Sequence, residues 1–401
     1  MPETWDAVVA GHICLDIIPD FSPVGEVPLS ALLRPGQLVE VGDATLSTGG
    51  AVANTGLALN VLGVRTQLMG KVGDDALGRV VRDIVSRRDP RLADGMVVDA
   101  TTGTSYTVII SPPGVDRIFF HSPGANNTFG AGDVRYDIVE QARLFHFGYP
   151  PLMRRTYQRE GAELVEIFRR VRALGVTTSL DMALPDPTSD AGHADWPAIL
   201  RNALPFVDVF LPSIEEILYM LRPATYRALL ESVPEGDLLP AVTPALLSDV
   251  GAELLSMGAG IVGLKLGSRG LYLRTADELR LAGLGKASPA DPAEWAQREL
   301  WSPCLRADLV GTTGAGDTTI AGFLSGLLRG LPVKQAVKMA VAVGACNVEA
   351  ADALSGLRSW DETQARVAQG WEHHDLVISA DDWRYDGEHG LWERGTERWT
   401  R

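Results

Sequence analysis

The sequence has few cysteines and no long apolar run. Its 401 residues include three cysteines, Cys14, Cys304 and Cys346, which are far apart and odd in number. They indicate a reducing compartment and argue against a disulfide framework or a zinc site. No apolar run reaches about 18 residues, so we expect no membrane-spanning helix. Residues 1–10 lack a basic segment and a cleavage site, so they do not resemble a signal peptide, and we expect a cytoplasmic protein.

Basic residues are also fewer than acidic residues. The 36 Lys and Arg residues and the 51 Asp and Glu residues give a formal net charge of −15. An acidic chain has no broad positive field, which argues against nucleic acid as a partner. A small anion could still be bound locally by backbone N–H groups. The hydrophobic content of 46% and the charged content of 22% are ordinary for a globular protein, and exclude a largely disordered, collagen-like or coiled-coil chain.

Short apolar runs alternate with amphipathic stretches along most of the chain. The runs at 7–10, 68–72, 144–147, 176–180, 207–211 and 261–266 predict strands, and the stripes over 51–62, 77–85 and 164–174 predict helices. Strands that alternate with helices indicate βαβ units. The sequence therefore predicts an α/β fold with a mostly parallel central sheet flanked by helices.

Three regions depart from this alternation. Residues from about 14 to 48 and from about 97 to 123 read as short strands between turns, including a hairpin of 106–110 with 117–120, and predict a small β-lid. Residues 277–303 are polar and read as an insertion. The segment 371–401 carries four of the nine tryptophans and predicts a C-terminal arm, packed on the body or on a partner subunit, beside a main domain of residues 1–370.

A small-residue loop opens a helix at Gly311-Thr312-Thr313-Gly314-Ala315-Gly316-Asp317. The apolar residues after it, from Ile320 to Leu328, have helical spacing. A helix N-terminus presents unpaired N–H groups and the positive end of the dipole, which suits a phosphoryl group. A carboxylate in the first turn can act as a base on a hydroxyl, or can simply cap the helix. The same four letters recur at Gly130-Ala131-Gly132-Asp133, but no apolar stripe follows, so that copy predicts a surface turn.

Two further features suit a polyhydroxy ligand. Gly49 and Gly50 precede a predicted helix and permit close approach of a ligand, and Asn54 offers both a donor and an acceptor. Asp16 follows the first buried strand, where its carboxylate could bind two hydroxyls. The alternatives are a turn with a capping-region Asn54 and a solvated loop Asp16.

Together these residues resemble the ribokinase-like (PfkB) carbohydrate kinases, over roughly residues 5–360. The stretch 49–78 is similar to the first signature of that family, and Thr313–Asp317 is similar to the second. Pro123-Gly124-Ala125-Asn126 is similar to its PGAN segment, and Lys265–Gly270 to a turn on its nucleotide side. The resemblance implies a ribokinase-like fold with a β-lid, and phosphoryl transfer from ATP, with Mg²⁺, to a hydroxyl of a sugar or sugar-like molecule.

The resemblance also implies roles for single residues. Asp317 would be the general base, and the amides of Gly314, Ala315 and Gly316 would form the anion hole. The residues implied to hold the acceptor are Asp16, Gly49, Gly50, Asn54 and Asn126. Those implied on the nucleotide side are Lys265, Gly267 and Asn347, for which the alternative is a helix-surface amide. Glu216 would help to organise Mg²⁺, and the β-lid would join two copies into a homodimer.

The sequence departs from the family pattern at three positions. Ser213 stands where the Asn-x-x-Glu segment has Asn, while Glu216 keeps the Glu. Gly311 stands where the family often has an Asp of a monovalent-cation site, which argues against potassium activation. Ala51 replaces the Lys that ribokinases usually have after the Gly pair, which argues against ribose.

Other residues and functions stay open at this point. Asp181 follows a predicted strand and either contacts metal-bound water or caps the next loop, and His121 is either structural or in contact with substrate. A nucleoside kinase of the same fold would need an apolar slot, which Phe119, Phe120 and Phe129 could supply. A non-catalytic sugar or nucleotide sensor would not need Asp317. A scaffold would use the Trp-rich arm.

Overall fold

The structure, a computed structural model, describes residues 4–114, 118–233 and 237–395. The strands are β1 (Trp5–Gly11), β2 (Cys14–Pro19), β3 (Ala44–Gly49), β4 (Thr66–Met69), β5 (Lys71–Gly73), β6 (Val97–Asp99), β7 (Tyr106–Ile110), β8 (Ile118–Ser122), β9 (Ala142–Gly148), β10 (Thr177–Leu180), β11 (Val209–Phe210), β12 (Ile261–Lys265), β13 (Leu271–Thr275), β14 (Glu299–Ser302), β15 (Trp383–Asp386) and β16 (Leu391–Arg394). The helices are α1 (Leu29–Leu32), α2 (Ala51–Val61), α3 (Ala76–Arg88), α4 (Tyr136–Val139), α5 (Arg154–Tyr157), α6 (Ala162–Ala173), α7 (Trp196–Ala203), α8 (Ile214–Leu221), α9 (Pro223–Ser232), α10 (Pro244–Ser256), α11 (Glu278–Ala282), α12 (Pro292–Trp295), α13 (Ala315–Leu328), α14 (Val333–Asn347) and α15 (Trp360–Ala368). Within these ranges, no helix is both long and apolar enough to cross a membrane.

A ten-stranded sheet forms the centre, in the order β15-β16-β14-β13-β12-β11-β10-β9-β1-β4. The six strands from β12 to β4 are parallel to one another, and the remaining four continue the sheet in antiparallel pairs. Residues Ala7–Ala10 of β1 are fully buried, as expected for a parallel strand covered on both faces. The predicted α/β fold with a mostly parallel central sheet is confirmed.

Helices cover the central sheet on both faces. The core on one face includes side chains of α2, α13 and α14, and the core on the other includes side chains of α6, α7, α8 and α10. Helices α13 and α14 pack closely at Gly322, where a Cβ would lie 3.0 Å from the Cα atom of Ala340.

A separate four-stranded sheet, in the order β3-β2-β7-β8, corresponds to the predicted lid. The predicted hairpin is present as β7 and β8, and Arg117 lies outside the described residues. The predicted strand 68–72 is wrong as a single element. It divides at Gly70, beside Ile13 and Met96, so that β4 joins the central sheet while β5 pairs with β6.

The C-terminal part of the chain continues the central sheet. The region 277–303, predicted as an insertion, contains α11, α12 and also β14, which is an inner strand of that sheet. The predicted arm contains the hairpin β15–β16, in which Trp392 pairs with Trp301 of β14. Lys334 of α14 holds the hairpin through Asp386 at 2.9 Å and Glu393 at 2.7 Å. The arm is therefore joined to the body by both backbone pairing and ion pairs.

Candidate active site

Polar side chains collect where neighbouring parallel strands end. Tyr149 follows β9, Asp181 follows β10, Ser213 follows β11, and Lys265 ends β12. These four strands are adjacent, so their carboxyl ends lie along one edge of the sheet, which is where ligands bind in open α/β sheets. The N-terminus of α13 meets the same edge, because Gly316 lies against the side chain of Lys265.

Asp317 lies at the centre of this cluster and is 4% exposed. Its carboxylate accepts hydrogen bonds from Asn54 Nδ2 at 3.1 Å and from Thr55 Oγ1 at 3.1 Å. Tyr149 OH donates to both carboxylate oxygens, at 2.8 and 2.7 Å. Gly314, the N-cap residue of α13, makes no side-chain capping bond, and the hydrogen bonds of Asp317 within the described chain go to α2 and Tyr149. The two predicted glycine-rich motifs therefore meet at Asp317, which does not act as a helix cap.

Sequence reasoning missed Tyr149 and Thr55. Tyr149 has left-handed backbone dihedral angles, with φ of 65°, directly after β9. Burial raises the pKa of the Tyr149 hydroxyl well above its usual value, and the carboxylates of Asp317 and Asp181 raise it further, so the hydroxyl stays a donor. Two features of the sequence could have pointed to these residues. Tyr149 is a polar residue at the end of a predicted strand, and Thr55 is a hydroxyl residue next to Asn54.

The predicted anion hole is a short turn. Gly314 has φ of 73°, a left-handed conformation that glycine adopts without strain. The Ala315 amide donates to the carbonyl oxygen of Thr312 at 3.2 Å, so it is engaged within the turn. Among the backbone contacts of the described residues, the amides of Gly314 and Gly316 have no acceptor. Of the three predicted amides, these two are the ones available to an anion.

Lys265 and Asp181 form a buried ion pair of 2.6 Å, with side chains that are 13% and 1% exposed. Burial alone would lower the pKa of Lys265, but the carboxylates of Asp181, Glu216 and Asp317 raise it above its usual value. Burial raises the pKa of Asp181 to about 8, and Lys265 opposes this shift. Asp181 Oδ2 is buried without a partner, so Asp181 is not the loop cap that the sequence left open.

Ser213 and Glu216 form a capping box at the start of α8. The Ser213 amide donates to Glu216 Oε2 at 2.6 Å, and the Glu216 amide donates to Ser213 Oγ at 3.2 Å. Ser213 therefore replaces the expected Asn with a residue that caps the helix. Within the described ranges, no group of three or more His, Cys, Asp or Glu side chains is arranged to hold a metal ion by protein ligands alone.

Gly49, Gly50 and Asp16 lie close together where β2 and β3 meet the start of α2. Gly50 is the N-cap of α2 with φ of 87°, and a Cβ there would lie 2.6 Å from the carbonyl oxygen of His12. A Cβ at Gly49 would collide with the carboxylate of Asp16. Asp16 belongs to β2 and not to a loop, and burial raises its pKa. These contacts explain why both positions are glycine.

Asn126 is fully buried in the turn after β8. Its Nδ2 donates to the carbonyl oxygen of Ile13 at 2.9 Å, and its Oδ1 accepts from the Ile13 amide at 3.3 Å. Both ends of the amide are therefore engaged by the backbone between β1 and β2. The side chain thus holds the turn that carries His12, and its contact with the acceptor stays a prediction.

We expect Gly50→Ala to lower the free energy of unfolding by about 2–4 kcal/mol, because a non-glycine residue at this φ is strained and its Cβ meets backbone. Gly25→Ala is the matched control. Gly25 also has positive φ, 69°, but a Cβ there has no atom within 4 Å, so we expect a cost of about 1 kcal/mol from backbone strain alone. Urea denaturation measures both. Equal losses would contradict the contact at His12.

The residues predicted on the nucleotide side lie in two parts of the chain. Lys265 and Gly267 are at the end of β12, and Asn347 is at the end of α14. Gly267 is in the turn after β12 with φ of 50°. Asn347 ends α14 and is fully buried, with Nδ2 donating to the carbonyl oxygen of Ala353 at 2.7 Å and Oδ1 unpartnered. Asn347 is thus not the surface amide left open as an alternative. Lys265 lies against Gly316 of α13, and Asn347 bonds Ala353, which lies beside Gly314 at the N-cap of α13.

The second Gly-Ala-Gly-Asp copy is a turn, as predicted, and begins no helix of its own. The turn reaches the surface at Gly132, which is exposed, while Gly130 and Ala131 are buried and Asp133 is only partly exposed. Asp133 accepts from the Gly130 amide at 2.8 Å and pairs with Lys71 at 3.1 Å. Within the described residues, Asp133 shares no hydrogen-bond partner with Asp317, because its contacts go to Gly130 and Lys71.

A family model matches this chain over most of its length. The family described as pfkB family carbohydrate kinase matches residues 8–360. The chain belongs to this family. The matched region contains the parallel strands, the small sheet and the loop before α13, while β15 and β16 lie beyond it.

Several curated relatives are similar to this carbohydrate kinase. An uncharacterized sugar kinase of Archaeoglobus fulgidus is 25% identical over 75% of this chain and 98% of its own length. A 2-dehydro-3-deoxygluconokinase of Bacillus subtilis is 26% identical over 80% of this chain and 87% of its own length. Probable fructokinase-6, chloroplastic, of Arabidopsis thaliana is 24% identical over 88% of this chain and 80% of its own length. The protein is a sugar kinase by family, and its relatives differ in acceptor.

Solved structures agree on the fold. The Arabidopsis thaliana ribokinase complexed with ribose and ATP superimposes with a TM-score of 0.67 at 19% identity, covering 90% of this chain and 98% of that one. A fructokinase with bound ATP from Xylella fastidiosa gives a TM-score of 0.64 at 17% identity, covering 90% of this chain and 98% of the fructokinase. The ribokinase-like fold predicted from the sequence is confirmed.

Proposed function

We propose that this carbohydrate kinase transfers a phosphoryl group from ATP to a hydroxyl of a sugar or sugar-like acceptor, with Asp317 as the general base. The observation that carries the proposal is the placement of Asp317. Its buried carboxylate is fixed by Asn54, Thr55 and Tyr149 at the point where the α13 N-terminus meets the carboxyl edge of the sheet. A positioned base of this kind contributes about 10²–10⁴-fold to a reaction rate.

The phosphoryl group would lie between the start of α13 and Lys265. Amides of Gly314 and Gly316 and the helix dipole favour a developing negative charge there. Lys265 adds a cation beside Gly316, at 3.7 Å from the position of a Cβ on that glycine. Phosphoryl transfer depends mainly on positioning and charge stabilisation, so these groups suit the step.

The residues present also fit a magnesium ion bound largely through phosphates, because such sites use one or two carboxylates and keep several waters. Asp181 has a buried oxygen without a partner, and Glu216 uses only Oε2 in its capping box. These two carboxylates would hold the ion or its waters. Bound Mg²⁺ would neutralise charge on the phosphate oxygens.

The nucleoside alternative is less well supported. Phe129 is fully buried in the core, and Phe119 and Phe120 are successive residues of β8, so their side chains lie on opposite faces. The three rings cannot form the single slot that a purine would need. Homodimerisation through the small sheet and a cytoplasmic location stay predictions.

The test is turnover of ATP by the purified protein against sugars, sugar acids, sugar phosphates and nucleosides, with Mg²⁺ and with or without K⁺. We expect one sugar-like acceptor to raise turnover well above the rate with ATP alone, with no requirement for K⁺. A nucleoside as the preferred acceptor would contradict the proposed substrate class. Turnover by none of the compounds would contradict the proposed function.

We expect Tyr149→Phe to lower kcat about tenfold without changing KM for ATP, because the hydroxyl holds both oxygens of Asp317 and removing one hydrogen-bonding group misplaces the base. Steady-state kinetics measure both constants. In an Asp317→Asn background the same change should have little further effect, since the two residues act as one unit. A full tenfold loss in that background would show that Tyr149 acts elsewhere.

A further inference from the structure

Four polar residues form a row across the small sheet, one on each strand. Asp16 of β2 pairs directly with Ser47 of β3 on one side and with Thr107 of β7 on the other. Thr107 pairs in turn with His121 of β8. Directly paired residues project from the same face of a sheet, so Ser47, Asp16, Thr107 and His121 share one face. We call these four residues the polar row.

The face that carries the polar row belongs to the acceptor side of the site. Leu15 and Ile17, on the opposite face of β2, pack into the hydrophobic core. On the face of the polar row, Asp16 lies against Gly49, and the ring of His121 lies 5.3 Å from the ring of His12. His12 in turn contacts Gly50 and lies 6.1 Å from the ring of Tyr149, which holds Asp317. The polar row thus extends the site from Asp317 toward the lid.

Hydrogen bonds connect the polar row to Cys14. Cys14 Sγ donates to Asp16 Oδ1 at 3.3 Å, and Thr107 Oγ1 is 3.6 Å from Cys14 Sγ. Thr107 Oγ1 and His121 Nδ1 are 3.0 Å apart. Both tautomers of a neutral His121 satisfy this contact: with hydrogen on Nδ1 the Nε2 atom accepts, and with hydrogen on Nε2 it donates.

Within residues 4–114, 118–233 and 237–395, Asp16 forms no ion pair, and the ring that lies against His121 is that of His12. Both nitrogens of His12 are buried without partners among these residues and His12 is 2% exposed, so its ring is neutral. Burial also lowers the pKa of His121. The described part of the polar row therefore presents a carboxylate, hydroxyls and a neutral imidazole.

We propose that the acceptor is an uncharged polyhydroxy compound, a neutral sugar or polyol, and that His121 is a specificity-determining residue which shares a hydrogen bond with one of its hydroxyls. This rests on the proposed function. Hydroxyls can donate to Asp16 and can donate to or accept from His121 Nε2, whereas a carboxylate or phosphate at this end would meet the like charge of Asp16. Like charges brought together without a counterion are strongly unfavourable. Sugar acids and sugar phosphates are thus excluded.

The first experiment compares matched acceptors with the full-length protein. We expect neutral sugars such as D-fructose and D-ribose to give kcat/KM at least about 100-fold above D-fructose 1-phosphate, D-fructose 6-phosphate and 2-dehydro-3-deoxy-D-gluconate. An anionic compound as the best acceptor overturns the inference while the kinase function stands. If no compound is phosphorylated, the proposed function fails, and thermal shifts with the same compounds decide the inference. Stabilisation by a neutral sugar only supports it, and any other pattern overturns it.

The second experiment places a cation in the polar row. His121→Lys should lower kcat/KM for the best neutral acceptor at least tenfold, raise it at least tenfold for the matching sugar phosphate, and leave KM for ATP unchanged. His121→Gln, which keeps an acceptor atom, should retain the neutral preference. Phe120→Lys is the matched control, since it adds the same charge on the next residue but on the opposite face of β8, where Phe120 is 52% exposed. Equal effects of His121→Lys and Phe120→Lys overturn the role of His121.

Discussion

Asp317→Asn is expected to lower kcat by at least about a thousandfold, while KM for ATP changes less than about threefold. An amide cannot take the proton of an acceptor hydroxyl. It is also a poor substitute for the carboxylate, which accepts from Asn54, Thr55 and Tyr149 and offers no proton to any of them. The start of α13 keeps its amides, so the phosphates should bind as before. Steady-state kinetics with the best acceptor of the panel measure the loss.

The chain contains its own control for this experiment. Asp133 ends a second Gly-Ala-Gly-Asp sequence but lies in a turn and pairs with Lys71 at 3.1 Å. Asp133→Asn makes the same chemical change in the same four-residue context. We expect kcat within about twofold of the unmodified protein. Stability should fall only moderately although the pair is largely buried, because Lys71 keeps a second carboxylate partner, Asp99, at 3.3 Å. A loss in kcat below about tenfold for Asp317→Asn would contradict Asp317 as the base.

The elements that sequence reasoning found have strong local signals. Strand β1 has an unbroken apolar run, and α13 combines glycine at its start with apolar residues at helical spacing. The family resemblance implied an acceptor role for Asn54 and a base role for Asp317, and the structure joins these residues, 263 positions apart, by a hydrogen bond of 3.1 Å. Local periodicity was therefore sufficient for the layout of the fold, whereas the roles of the site residues came from the resemblance and stay predictions.

The parts that were missed depend on contacts between distant segments. Tyr149 reaches Asp317 across 168 positions, and nothing near Tyr149 in the sequence marks that partner. The hydrogen bonds of Asn126 with the backbone of Ile13 span 113 positions, and nothing near Asn126 in the sequence marks that partner. Strand β14 was hidden in a polar stretch because its pairing with β13 and β16 decides its structure, and β propensity depends strongly on such neighbours.

Lys265→Met is expected to lower the free energy of unfolding by about 3–5 kcal/mol at about pH 9, because it leaves the buried carboxylate of Asp181 without its cation. The loss should be smaller at about pH 5. Burial raises the pKa of Asp181 from 3.8 to about 8 in the presence of Lys265, which opposes that shift. At low pH the group is protonated with or without the lysine, and a neutral carboxyl needs no counterion.

The sign of the pH dependence follows from proton binding in the folded state. Removing Lys265 raises the pKa of Asp181 further, so above about pH 8 the folded variant binds more protons than the folded unmodified protein. The stability of the variant must then fall relative to the unmodified protein as the pH rises through 8. Denaturation with urea at both pH values measures the difference, and an equal loss at the two values would contradict this account.

Two further variants separate the buried pair from lysine removal in general. Lys334→Met removes a lysine that also faces two carboxylates, Asp386 and Glu393, but its side chain is 21% exposed and theirs are 21% and 26%. Water can solvate those carboxylates, so we expect a loss of only about 1 kcal/mol. Adding Asp181→Asn to Lys265→Met should restore most of the lost stability, since no buried charge then remains. If the double variant stayed as unstable as Lys265→Met, the cost would lie in the packing of the lysine stem against Gly316 and not in the charge of Asp181.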